Sequence, residues 1–206
     1  MQTHIVVPFY EGQLFRVLEN FDDWDVFSPC HEAQHEVALV FFLSRNTNIV
    51  AIRNQIQQRV RQSSWALKCF SSIEVVSANM TATEDSYWLG SRIQFEKFLK
   101  VHFLSQLAAV RYVMYMEPDC YIFRSNWLTL LQETCGEEDE MFLIKGHRSR
   151  DRFPDTYNHI NGNALYHLGD ARLSYLYFDI LSKHLRPNPQ AGNATSIFHL
   201  AYDMDL

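Results

Sequence analysis

Glycine is scarce in this chain, with 7 in 206 residues, and the loops that glycine builds around phosphates are missing. Neither GxGxxG nor GxxxxGK[ST] occurs, which excludes a dinucleotide-binding fingerprint and a P-loop. GxSxG is absent as well, and no serine or cysteine stands in the context of a covalent nucleophile. The cysteines Cys30, Cys69, Cys120 and Cys135 lack CxxC spacing, so a zinc ribbon and a thioredoxin-type motif are excluded. They are expected to be reduced, mostly buried thiols. Positive charge is short too: the net charge is −6 and the pI about 5.8, which gives a nucleic-acid partner no basic face. No apolar run is long enough to cross a membrane, and MQTHIVVPFY lacks the basic stretch and apolar core of a secretory leader. A soluble, cytoplasmic protein is expected. The glycosylation acceptor patterns at Asn79 and Asn193 carry little weight without such a leader.

What is present is apolar and periodic. At 47% hydrophobic residues, a chain of this length buries one sizeable core, so a single domain over residues 1–206 is expected, with room for a longer protein beyond it. Apolar, β-branched segments recur at His4–Phe9, Val37–Leu43, Ile73–Ala78, Tyr112–Met116, Met141–Ile144 and Ala164–Leu168. Helical spacing fills Arg53–Phe70, Ser91–Ala109, Trp127–Glu133 and Ala171–Leu185, the last followed by the breaker Pro187-Asn188-Pro189. Strands alternating with helices imply an α/β fold, a mixed, mostly parallel central sheet flanked by helices.

The most informative stretch is RYVMYMEPDCYIFRSNW, Arg111 to Trp127, where an apolar strand runs into Glu117 and Asp119. Strand side chains two apart share a face, so Tyr115, Glu117 and Asp119 are expected to point together. Two carboxylates aimed at one place repel unless a cation lies between them. Pro118 withholds a backbone donor where the strand should end. Ligands of open α/β sheets bind beyond such carboxyl ends.

The order of EPDCYIFRSNWL, an acidic turn, FLIKGH and then HINGNALYHL resembles the GT-A-fold, nucleotide-sugar-dependent glycosyltransferases, small modules of which occur in large algal (chlorella) viruses and their hosts. The resemblance runs from HIVVPFY to the terminal HLAYDMD. It implies a Rossmann-like single domain and transfer of a hexose from a UDP-sugar, UDP-glucose or a related UDP-hexose, to a glycan or glycoconjugate hydroxyl. Mn²⁺ or Mg²⁺ would be held at the acid pair against the donor diphosphate. In that family the acids are usually Asp-X-Asp; here Glu117 stands first, so Asp119 is expected to bind metal directly and Glu117 through water or on the ribose. A hard cation favours carboxylate and phosphate oxygens, which lets an acidic chain hold a diphosphate.

The resemblance further places Val7 to Tyr10, including Pro8 and Phe9, beside nucleobase and ribose, with Ser77, Ala78 and Asn79 on the same edge. Arg92, with Lys97 a turn later, would meet the ribose or diphosphate at a helix start. Asn161, Gly162 and Asn163 would form a turn between strands, since Asn-Gly favours hairpins, and present polar groups to the donor sugar. Lys145–Arg152, KGHRSRDR, is expected to be a mobile loop over phosphates or acceptor. His199, with Asp203 and Asp205 near the end of the chain, would supply a further metal ligand or a base, and Asp155 is another base candidate. None of these acids stands in a base motif, so transfer with retention is expected. Two other functions fit the acid pair: a metal-dependent phosphohydrolase, and a nucleotide-sugar-binding module without turnover.

Overall fold

The computed structural model describes residues 2–32, 36–86, 90–104, 110–137, 144–149 and 159–175. Six strands form one sheet: β1 Gln2–Phe9, β2 Val37–Leu43, β3 Ser72–Ser77, β4 Val110–Tyr115, β5 Ile144–Ser149 and β6 His159–His167. Their order is β3-β2-β1-β4-β6-β5. The first four run parallel, while β6 lies antiparallel to both β4 and β5. The expected mixed, mostly parallel sheet is therefore present.

Both faces of the sheet are covered, and this explains why its central strands read as unbroken apolar runs rather than alternating ones. Ile5, Val7 and Phe9 of β1 and Val37, Leu39, Phe41 and Leu43 of β2 face one core. Three helices cover that side: α1 Leu14–Val26, α2 Ile49–Gln62 and α5 Trp127–Glu137, with the single turn α3 Ala66–Cys69 beside them. In α1, Val17, Phe21 and Trp24 recur at helical spacing and are fully or almost fully buried. Trp24 meets Trp65 edge-on at 5.2 Å between ring centroids, and the Trp65 indole N–H donates to Asp25 Oδ1 at 2.8 Å. Each such ring contributes about 1.5–3 kcal/mol by burial. The opposite core joins Val6, Phe42, Val113 and Tyr115 to Phe95, Phe98 and Leu99 of α4 Gly90–Leu104, and to Leu173 of the short helix α6 Ala171–Tyr175.

Several expectations change. Arg53–Phe70 is two helices, because Ser63 leaves helical geometry at ψ 124° and caps α2 with its hydroxyl on the Arg59 carbonyl. The Asn161-Gly162-Asn163 segment lies inside β6, not in a turn: it stands at a register shift between Ile160, paired with Arg148 of β5, and Ala164, paired with Gly146 of β5 and Tyr115 of β4. Residues 145–149 of the basic stretch lie in the edge strand β5 rather than a loop.

The cysteine expectation is overturned. Cys30, in the loop after α1, and Cys69, at the end of α3, form a disulfide with their Cα atoms 5.5 Å apart. The residues are separated by 39 positions, so linear spacing could not show it. Disulfides persist in oxidising compartments, and the thiols therefore give the cytoplasmic expectation no support. Cys120 and Cys135 lie outside the disulfide. No helix among the described residues is long and apolar enough to cross a membrane.

Candidate functional site

β1 leads outward to β2 and β3 on one side and neighbours β4 on the other, so the order of the parallel strands reverses between β1 and β4. Open α/β sheets bind ligands at such a switch point, beyond the carboxyl ends of the strands. A cleft of about 730 Å³ lies there, within the range of small-molecule sites. Three parts of the chain line it. Pro8, Tyr10 and Gln13 come from the end of β1, and Asp85, Ser86, Gly90, Ser91 and Gln94 from the entry to α4. Tyr115, Glu117, Pro118 and Asp119 come from the end of β4.

The acids do not sit on a strand face. β4 ends at Tyr115, and Glu117 to Cys120 form a tight turn closed by the Cys120 N–H donating to the Glu117 carbonyl at 3.1 Å. Pro118 occupies the second turn position, for which its fixed φ is suited. The turn, rather than strand alternation, brings both carboxylates to one cleft. Its field is visible at the neighbouring thiol: burial first, then the charges of Asp119 and Glu117, push Cys120 up to about 12.

The two acids are held differently. The Asn163 side chain, reaching from β6, accepts the Glu117 backbone N–H at 2.6 Å and donates to Glu117 Oε2 at 3.2 Å. One amide thus orients both the backbone and the carboxylate of Glu117. Asp119 is exposed at the tip of the turn. In the same wall, the Tyr115 hydroxyl is buried with no hydrogen-bond partner among the described residues, and burial raises its ionisation well above the ordinary phenol range.

On the β1 side, the Tyr10 N–H donates to Gln13 Oε1 at 3.2 Å, and the Gln13 N–H donates back to the Tyr10 carbonyl at 2.8 Å. Gly12 leaves room for the Tyr10 ring, since a Cβ there would lie 2.5 Å from ring carbon Cε2. Gln94, 6% exposed, donates to the carbonyls of Phe9 at 3.3 Å and Phe42 at 2.5 Å, tying α4 to the ends of β1 and β2. Asp85 accepts from the Ser44 hydroxyl at 3.0 Å. No lining side chain among the described residues is basic.

Solved structures share this architecture. Mouse xyloside xylosyltransferase 1, in its apo form, superposes with a TM-score of 0.51 at 12% identity, over 90% of this chain and 74% of its own. The galactosyltransferase LgtC, in complex with donor and acceptor sugar analogues, superposes at 0.50 with 13% identity, over 97% of this chain and 70% of its own. The chain has the GT-A fold. No protein-family model and no curated protein sequence matches it.

Within the GT-A fold, the sequence-predicted residues divide into three groups. Glu117, Asp119, Pro8 and Tyr10 meet at the cleft. Phe9 lies just below, with its side chain in the core and its carbonyl bonded to Gln94. Asn163 joins the cleft through Glu117 rather than by facing it. Arg92 is not at the cleft: it ion-pairs with Glu96 one turn along α4, leaving Gly90 and Ser91 to line the wall. Lys97 pairs with Glu84 at 3.0 Å, and the Ser77 hydroxyl accepts the Asn79 N–H, so both are engaged outside it. Asp155, His199, Asp203 and Asp205 lie outside the described residues, as do the side chain of Asn161 and the surroundings of Gly162. Sequence reasoning missed Gln13, Gln94 and Asp85. Gln94 alone left a trace, as a polar residue beside Phe95 and Phe98 in an otherwise apolar helical stripe.

Proposed function

We propose that the protein is a divalent-metal-dependent glycosyltransferase that moves a hexose from a UDP-sugar to a glycan hydroxyl. The observation that carries this reading is the acid turn. Glu117 and Asp119 line a cleft at the β1/β4 switch point, together with Tyr10, in a fold shared with two sugar transferases. A cleft without a basic lining side chain binds a diphosphate only if a cation comes with it. Mn²⁺ or Mg²⁺ suits this donor set, because such ions use one or two carboxylates and complete their shell with phosphate oxygens and water. Among the described residues no group of three or more His, Cys, Asp or Glu side chains could hold a metal without such a partner.

Asp119, exposed at the turn, is the direct ligand, and Glu117, anchored by Asn163, acts beside it through water or on the ribose. When bound, the cation supplies Lewis-acid stabilisation to the departing nucleotide diphosphate. The Tyr10 ring, kept in place over Gly12, forms a face for the base. Gln94 fixes the strand ends on which base and ribose rest. Transfer proceeds with retention, and anomer analysis of the product checks that.

Titration calorimetry of UDP and UDP-glucose with and without Mn²⁺ tests the proposal. Binding is expected only with metal, and metal-independent or absent binding sinks it. Asp119→Ala should abolish metal-dependent binding, since it removes a hard ligand and its charge; unchanged affinity would refute the assigned role.

A further inference from the structure

The acceptor pattern Asn79-Met80-Thr81 carries little weight in the sequence, where no leader supports it, and more in the folded chain. The Cys30–Cys69 bond points to an oxidising compartment by an independent route. The secretory lumen is such a compartment, and it also attaches glycans to asparagines of this pattern. The fold presents this asparagine for it. Ala78 and Met80 are buried in the core against α4, while Asn79 between them and Thr81 after them are exposed. Three hydrogen bonds fix the backbone in that posture. The Asn79 N–H donates to Ser77 Oγ at 3.0 Å, the Lys97 ammonium donates to the Asn79 carbonyl at 3.3 Å, and the Met80 N–H donates to the Ser44 carbonyl at 2.9 Å.

None of these uses the Asn79 side chain, whose amide has no protein partner among the described residues. Its backbone is left-handed, at φ 51°, which accounts for an asparagine here, but glycine or aspartate would meet that need as well. The hydroxyl two residues on is a second requirement, and Thr81 meets it. Asn79 does not line the cleft, so a group on its Nδ2 projects into water and displaces nothing packed.

We propose that Asn79 carries an N-linked glycan, attached as the chain enters a secretory lumen. The amide Nδ2 attacks the anomeric carbon of a polyprenyl-diphosphate-linked oligosaccharide. The carbon–oxygen bond to the diphosphate breaks and a carbon–nitrogen bond forms; polyprenyl diphosphate leaves, and one amide proton passes to a base of the attaching enzyme. The modification is independent of what the cleft binds.

The test is peptide mapping of the full chain recovered from the cells that produce it, after peptide N-glycosidase treatment in heavy-oxygen water. A labelled aspartate is expected at position 79, in molecules whose Cys30 and Cys69 peptides remain linked without reductant. The mass shift should vanish in Asn79→Asp, which keeps the tolerance for left-handed geometry, and in Thr81→Ala. Thr81→Ser, which retains a hydroxyl, should restore it. An unlabelled Asn79 overturns the proposal, whether the cysteines are linked or reduced, as does a glycan found at Asn193 alone. A Thr81→Ala chain that keeps the glycan overturns it too.

Discussion

Glu117 illustrates how one side chain can depend on another far away in sequence. Its carboxylate could turn toward solvent, yet Asn163 holds both its backbone N–H and Oε2. Asn163→Ala leaves two polar groups of Glu117 to find water, at a cost of about 1–3 kcal/mol if they stay enclosed. It also frees the carboxylate to rotate away from the cleft. We expect metal-dependent UDP binding to weaken by about tenfold, read by calorimetry, with a modest drop in melting temperature. Asn163→Asp should weaken it further, because a second charge would face Glu117. The INGNA segment drew attention to this asparagine. Its task was not, because contact with Glu117 needs β6 to lie beside β4.

At the scale of elements, the strands were the most legible part of the chain. Val37–Leu43 coincides with β2, and His4–Phe9 falls within β1, because strands covered on both faces must be apolar at nearly every position. Local preference misleads where the sheet continues: Asn161-Gly162 reads as a turn but stands at a register shift within β6, and KGHRS reads as a loop and is strand. The acid turn errs in the other direction. Two acids spaced like neighbours on a strand face stand on a turn, because Pro118 suits turn geometry and stops the ladder.

The strand β1 also carries a titration. His4 is held between Ala38 of β2 and Val113 of β4, and burial lowers its pKa from 6.5. The unfolded chain then binds that proton more readily than the folded one, so stability from this source is complete above about pH 6.5 and declines as pH falls toward the lower folded value. Urea midpoints of wild type and His4→Gln should diverge in that window, with the variant showing the smaller pH dependence.

Across the whole molecule, the Cys30–Cys69 disulfide closes a loop that includes β2 and α2. For a loop of this length, chain entropy predicts stabilisation of about 4 kcal/mol, within a usual range of about 2–5. Reduction, or Cys69→Ser, should lower the unfolding free energy by about 2–4 kcal/mol in urea titrations, and an unchanged midpoint would show that the bond does not form. The effect should reach the site. The loop carrying Cys30 also receives the Asn126 N–H on the Ser28 carbonyl and the Leu128 N–H on the Pro29 carbonyl, which anchors the start of α5 just downstream of the acid turn.

By itself the sequence determined the α/β class, the four parallel strands, the acid pair and the exclusion of glycine-rich phosphate loops. Each of these follows from residue types at short spacing, where periodicity and backbone geometry act. Tertiary structure alone decided that Cys30 meets Cys69, that Asn163 anchors Glu117, and that Asp85 and Gln94 face the same cleft as the acids. The first two of these join residues 39 and 46 positions apart. The order of strands in the sheet and the connections between them bring such residues together, and no local pattern records that order.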